Sequence, residues 1–256
     1  MGDNGSRSLA SMTTDEISAA VAERYGMVAR TPGAKLGFPV GREFALTVGY
    51  QANDLDDLPA SCAASFTGAG NPQAFVEFEA GDIVLDLGCG CGLDALLYAK
   101  RVGRTGGVVG LDFSESMVAK ATQNAREAGL ENVRFVCAPA SKIPLPDASV
   151  EVVTANGILN LSPGRDAILK DALRVLRPGG AMTFAEITLR EEGIVDSRET
   201  LNDWFRCVGG AEAGDGLLRR MTRAGFTDAT ILDSRRNART GHPASICSVI
   251  TARKPG

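Results

Sequence analysis

The chain has 256 residues, 44% of them hydrophobic, enough to bury a substantial core and unlike a disordered composition. Its 27 basic and 31 acidic residues leave a net charge of −4, which speaks against a nucleic-acid substrate, and no apolar run reaches the ~20 residues of a membrane span. Six cysteines without Cys-x-x-Cys spacing, and one histidine, His242, exclude a zinc module and a histidine-centred triad; neither a metal site nor a disulfide framework is expected.

In chain order, Met1 to Thr14 is polar and Gly/Ser-rich, without the apolar centre of a signal peptide, so a frayed start and a cytoplasmic location are expected. Thr13 followed by Glu16 forms a capping box and opens a helix carrying Ile17, Ala20, Val21, Arg24 and Tyr25, closed at Thr31-Pro32-Gly33. A Gly/Pro-punctuated segment runs to Tyr50, and Asn53 to Ala64 reads as one short helix with its own cap. Residues 1–75 are thus expected to be a helical lid, and 76–256 the main domain.

Beyond Gly81 strands and helices alternate. The apolar run Ile83-Val84-Leu85-Asp86-Leu87 suits a strand buried on both faces, and helical spacing follows from Leu93 to Val102. A second strand ends at Asp112, Ser114 caps a helix bearing Met117, and strands follow at 133–136, 150–155 and 181–187. A helix from Arg165 to Leu176 stops at Arg177-Pro178-Gly179-Gly180, read as a turn. Helices near Arg198–Cys207 and Asp215–Ala224, then strands at 230–232 and 246–252, complete the chain, with 190–225 expected to wall a substrate pocket. The basic stretch Arg235 to Arg239 reads as a solvated loop, and Cys137 and Cys247 as core. This order predicts an α/β fold, doubly wound around a mostly parallel sheet.

The segment Asp86-Leu87-Gly88-Cys89-Gly90-Cys91-Gly92, directly between a buried strand and a helix, carries the chemistry. Its glycines permit a tight turn and bring bare backbone to a ligand. Asp112, at the end of the next strand, can accept both hydroxyls of an adenosine ribose. A dinucleotide fingerprint would place its third glycine at position 93, which is leucine, and Asp86 would repel a pyrophosphate. It suits the ammonium of a methionine moiety, so the expected cofactor is S-adenosylmethionine.

Residues 81–187 resemble the class I S-adenosylmethionine-dependent methyltransferases, and the chain is similar to their arsenite branch. Four stretches carry that similarity: Val21–Gly26, Ser65–Pro72, Ala155–Pro163 and Arg206–Ala211. The resemblance implies a seven-stranded sheet with its last strand antiparallel. It also implies a cofactor site made by Asp86, Gly88, Cys89, Gly90, Asp112, Phe113, Met117, Ala140, Ser141 and Asn156. Pro139 stands where many class I enzymes have an acid. Tyr25, Glu186 and Asn156 are the catalytic candidates; Tyr25, Asn71, Asn160 and Cys207 are the candidate substrate contacts. The arsenite branch holds As(III) on thiols, a soft-ligand preference, but Ala69 and Gly157 occupy two of the expected positions; only Cys207 stands where the third thiol belongs, and Cys62, close to Ala69 in sequence, brings the sulfurs to at most two. Methyl transfer to a small-molecule acceptor is therefore expected. Arsenite methylation with an atypical thiol set, and cofactor binding without transfer, stay open, as does the choice between monomer and homodimer.

Overall fold

The computed structural model describes residues 7–31, 33–34, 36–190, 200–237 and 240–256. The expected stop at Pro32, the helix start near Arg198, the opening of the 190–225 wall, the first residues of the N-terminal segment, and Ala238 and Arg239 lie outside these.

The seven expected strands form β1 (Ile83–Leu87), β2 (Gly107–Asp112), β3 (Val133–Cys137), β4 (Val150–Asn156), β5 (Leu176–Leu189), β6 (Thr227–Arg236) and β7 (Ser245–Arg253). Among the described residues they make one seven-stranded sheet in the order β3-β2-β1-β4-β5-β7-β6. The first five run parallel, while β7 is antiparallel to both β5 and β6. The apolar continuity of β1 has its cause here: Val84, Leu85 and Leu87 are wholly buried, each contributing about 1.5–3 kcal/mol on removal from water. Parallel pairing aligns the C-terminal ends of β1, β2 and β4, so the loops leaving them meet at one edge, where ligands of open α/β sheets bind.

Helices α5 (Leu93–Val102), α6 (Glu115–Glu127), α7 (Arg165–Val175) and α9 (Gly214–Ala224) cover the sheet, and Ser114 caps α6 as its sequence context predicts. The N-terminal helix α1 (Thr14–Arg30) starts on the capping box of Thr13 and Glu16. Its apolar stripe of Ile17, Val21, Tyr25 and Val28 packs with Cys91, Met117 and Phe205. Phe44, Tyr50, Leu55 and Phe66 likewise share a cluster with Leu93, Leu96 and Leu97 of α5. The described residues before Phe75 thus bury apolar groups such as Val21, Tyr25, Phe44 and Leu55 in clusters shared with the α/β layer.

Four local expectations change. The helix expected over Asn53–Ala64 is two, α3 (Ala52–Asp56) and α4 (Ala60–Ala64), neither with a side-chain cap. Pro59 divides them, since proline has no N–H to donate and disfavours helical geometry at Leu58. The helix ending at Cys207 is only α8 (Leu201–Phe205), capped by Thr200, and Cys207 takes a left-handed φ of 64°. Arg177 to Gly180 belong to the extended start of β5, with a register shift against β4 and Gly179 N–H bonded to Lys254 O at 3.0 Å. Cys137 is exposed, because β3 is the outer strand of its side of the sheet.

Candidate active site

Three glycines of the loop after β1 adopt left-handed φ: 68° at Gly88, 53° at Gly90 and 92° at Gly92. A side chain would be strained at each, and a Cβ on Gly88 would sit 3.1 Å from Ile158. A Cβ on Gly90 would meet nothing within 4 Å, so bare backbone there faces open volume.

Two adjoining cavities share Thr67, Gly88, Gly90 and Asn156. The larger, about 200 Å³, is lined by Asp112, Phe113, Met117, Pro139, Ala140 and Ser141 on one side and by Val21, Tyr25, Ile158 and Leu161 on the other. The smaller, about 50 Å³, is lined by Cys62, Ser65, Cys89, Cys91 and Asp94. Gly88, Cys89, Gly90, Asp112, Phe113, Met117, Ala140, Ser141 and Asn156 thus converge on one site, as the loop's position between strand and helix requires.

Asp112 Oδ2 accepts from Gly90 N at 3.0 Å and Oδ1 from Ser114 N at 2.9 Å, which orients the carboxylate toward the larger cavity's edge. Burial pushes its pKa up to about 6, against the pull of those backbone donors. Asp86 acts from beneath the loop and lines neither cavity. Its Oδ1 accepts from Thr154 Oγ1 at 3.1 Å, while Oδ2 is buried without a hydrogen-bond partner among the described residues. Burial and the neighbouring Asp94 carboxylate push Asp86 well above the usual carboxylate range.

Asp94 was not singled out from sequence, although it follows the last loop glycine by two positions, in the first turn of α5 where an acid is favoured. Its carboxylate accepts from Tyr50 Oη at 2.5 Å, Gln73 Nε2 at 3.2 Å and Asn156 Nδ2 at 3.1 Å. Tyr50 and Gln73 come from the N-terminal segment, so this network ties that segment to the glycine loop.

Asn156 is an organiser by its side chain. Its Oδ1 accepts from Ala69 N and Gly70 N, and its Nδ2 donates to Gly70 O as well as to Asp94 and Tyr50. Tyr25 reaches the larger cavity, stacks on Phe38 and donates from its hydroxyl to Phe205 O at 3.0 Å.

Besides Asp86, four candidates fall outside the two cavities: Glu186, Asn160, Asn71 and Cys207, the last wholly buried. Glu186, expected to act as a base, is fully buried and accepts from the backbone N–H groups of Leu159, Asn160 and Ile187. Its carboxylate satisfies the turn after β4, a capping role. Asn160 is also buried, donating to Ile187 O and Cys207 O, and so fastens β5 to the α8 segment instead of meeting substrate. Asn71 lines a different cavity, beyond the Ala69–Gly70 backbone. Glu186→Gln is expected to cost about 1–3 kcal/mol of stability, the penalty of poorly satisfied buried donors, while methyl transfer stays within about threefold of wild type. A hundredfold fall in turnover at unchanged melting temperature would instead make Glu186 a base.

The sheet order, the glycine loop and the acid after β2 define a nucleotide-cradling α/β enzyme of the class I methyltransferase type. The family model described as "Methyltransferase domain" matches residues 78–225, and the chain belongs to this S-adenosylmethionine-dependent family. It is 36% identical over 179 residues to an arsenite methyltransferase of Halobacterium salinarum, covering 70% of this chain and 46% of that protein. It is 35% identical over 130 residues to a demethylmenaquinone methyltransferase of Listeria welshimeri, covering 51% of this chain and 54% of that one. Among solved structures, an arsenic(III) S-adenosylmethionine methyltransferase from Chlamydomonas reinhardtii aligns with TM-score 0.63 and 28% identity, over 80% of this chain and 72% of that chain. The chain spans about half the length of the curated relatives it matches.

Proposed function

We propose that the chain transfers the methyl group of S-adenosylmethionine to a small-molecule acceptor whose nucleophile needs no strong base. The bare backbone of Gly88 and Gly90, the buried Asp112 and the joined cavities fit an adenosine at the Asp112 end and a methionine moiety at the Asp94 end. When bound, the cofactor supplies an electrophilic methyl group on a sulfonium. Asp112 would accept the ribose hydroxyls, and the unpartnered Asp86 oxygen would offer a hydrogen-bond acceptor beneath the methionine end. Val21, Tyr25 and Leu161 exclude water, consistent with residues 7–75 serving as cover. Alignment of acceptor and methyl by such walls can lower a barrier by roughly 7–11 kcal/mol.

The carrying observation concerns the acceptor end. Tyr25 and Asp112 are the titratable side chains lining the larger cavity, and the Tyr25 hydroxyl is committed to Phe205 O. With no imidazole or further carboxylate among the described residues lining it, proximity and a soft or acidic nucleophile carry the reaction.

Arsenite is the less favoured acceptor. Ala69, Gly157 and Cys207 do meet: a Cβ on Gly157 would lie 3.4 Å from Ala69 Cβ, and Cys207 Sγ lies 3.9 Å from Gly157 O. Cys247 shares the apolar cluster of Ala69 and Cys207, so at most two sulfurs gather near that junction, short of the three-thiolate set of the arsenite branch. Cys62 belongs to another apolar cluster, and burial pushes its thiol up to about 12.

Purified protein incubated with methyl-labelled donor is expected to label a small-molecule fraction of a cell extract, with no methylated arsenic formed from arsenite and glutathione. Cys207→Ser should leave the rate within about twofold, as expected of a packing residue. Methylated arsenic as the main product, lost on that substitution, would overturn the assignment; donor binding without product from any acceptor would remove the transfer reaction itself.

A further inference from the structure

A further cavity lies apart from the cofactor site, sharing none of its lining residues. It measures about 360 Å³, within the range of about 300–1,000 Å³ typical of small-molecule pockets. Its floor is β6 and β7, where Asp233 pairs with Val249 and Arg235 with Cys247, and residues two apart on a strand share one face. Helix α2 (Arg42–Thr47) and the Val48-Gly49 turn form the roof, and Ala69 to Asn71, Ala74 and Phe75 the side. Arg235 and Arg236, which their sequence context reads as solvated loop, are instead the end of β6 and line this space.

We propose that this cavity is a second ligand site, for a small molecule with an apolar body and one anionic group of carboxylate, sulfonate or phosphate type. Among the described residues lining it, Arg235 and Arg236 face one carboxylate, Asp233. The Arg235–Asp233 pair, 2.5 Å apart, leaves the arginine side chain 63% exposed, so its remaining donors are open to an anion. Arg235 also reaches across the opening: a Cβ on Gly49 would lie 3.5 Å from its Nη1. Phe44, Val48, Phe75 and Val249 supply the apolar walls. Asn71 supplies polarity of the opposite kind. Its Nδ2 donates to Gly49 O at 2.9 Å, which orients the amide, and its buried Oδ1 has no hydrogen-bond partner among the described residues. A hydroxyl or amino group on the ligand would satisfy it.

One layer of backbone separates this site from the transfer position. Ala69 lines the cavity, donates its N–H to Asn156 Oδ1 at 2.7 Å, and accepts at its carbonyl from Asn237 Nδ2 at 2.6 Å. The ligand is therefore either the acceptor, entering when that wall shifts, or an effector pressing on it. The site stands on its own geometry, and only this last choice rests on the methyl-transfer reading.

The test uses 2-naphthoate and its neutral analogue 2-naphthamide, titrated into the full chain with and without saturating S-adenosylhomocysteine. Naphthoate is expected to bind once per chain with the cofactor product in place, about fivefold tighter than the amide, the yield of an exposed ion pair. Arg235→Gln should remove that preference. Ala74→Trp, an exposed lining position whose indole would fill the space, should abolish binding. Both variants should keep wild-type affinity for S-adenosylhomocysteine. Displacement of naphthoate by S-adenosylhomocysteine, equal binding of acid and amide, or indifference to both substitutions would overturn the proposal. Failure of S-adenosylhomocysteine to bind would count against the cofactor reading alone, since the cofactor-free titration still reads this site. Loss of methyl transfer in Ala74→Trp marks the ligand as the acceptor; retained transfer marks it as a separate effector.

Discussion

Asp112→Asn is expected to weaken S-adenosylmethionine binding by about 10- to 100-fold, the loss of charge-assisted bonds each worth about 1.5–3 kcal/mol. The amide is isosteric, and its single oxygen can still accept from Gly90 N or Ser114 N, so the fold should persist. Isothermal titration with S-adenosylhomocysteine separates the two effects when paired with a thermal melt. Unchanged affinity would remove Asp112 from the ribose site. The wild-type protein carries the same test in its pH dependence. Burial raises Asp112 from the usual 3.8 to about 6, so its contribution to the stability of the cofactor-free fold is fully present below 3.8 and lost as pH rises through about 6. Ribose hydroxyls donate to the ionised form, so affinity runs the other way: it should be constant above pH 7 and fall about tenfold per unit below about 6. Asp86 and Asp94 are raised as well, desolvation being the largest cause for each, so neither opposes this direction.

Asn156→Ala should be the most destabilising single change at the site, at about 3–5 kcal/mol. It strips the acceptor from Ala69 N and Gly70 N and the donor from Asp94, Tyr50 and Gly70 O. At about 2–4 °C per kcal/mol for a chain of this size, the melting temperature should drop by roughly 10 °C. Donor affinity should fall too, because the N-terminal segment and the cofactor loop lose their shared anchor. Gly68→Ala gives an independent check, since its Cβ would lie 2.5 Å from Asn156 Nδ2 and force the amide out of place. A melt within 2 °C of wild type for both variants, which would be about 1 kcal/mol or less, would show that the network does not hold the N-terminal segment in place.

The strand–loop–helix unit that makes the cofactor site was legible because its signals are local. Left-handed φ at Gly88, Gly90 and Gly92 requires glycine, and the buried strands beside them read as apolar runs. Asp94 was legible in principle, as an acid in the first turn of a helix opening on a glycine loop. Tyr50 and Gln73 were not: their partners lie 44 and 21 positions away, across a fold boundary that no periodicity marks.

The sequence by itself determined the fold class and the cofactor, which follow from residue type and short spacing, while the mismatch at Ala69 and Gly157 is implied by the resemblance to the arsenite branch. The tertiary structure decided what each polar residue near the edge of the sheet does. Glu186, Asn160 and Arg235 sit at strand ends or turns where either a backbone group or a ligand could claim them. Glu186 and Asn160 are claimed by the backbone of Leu159, Ile187 and Cys207, whereas Arg235 stands at the mouth of a cavity. The reason is desolvation: a buried polar group must find a partner, and which partner is within reach depends on packing between segments far apart in the chain.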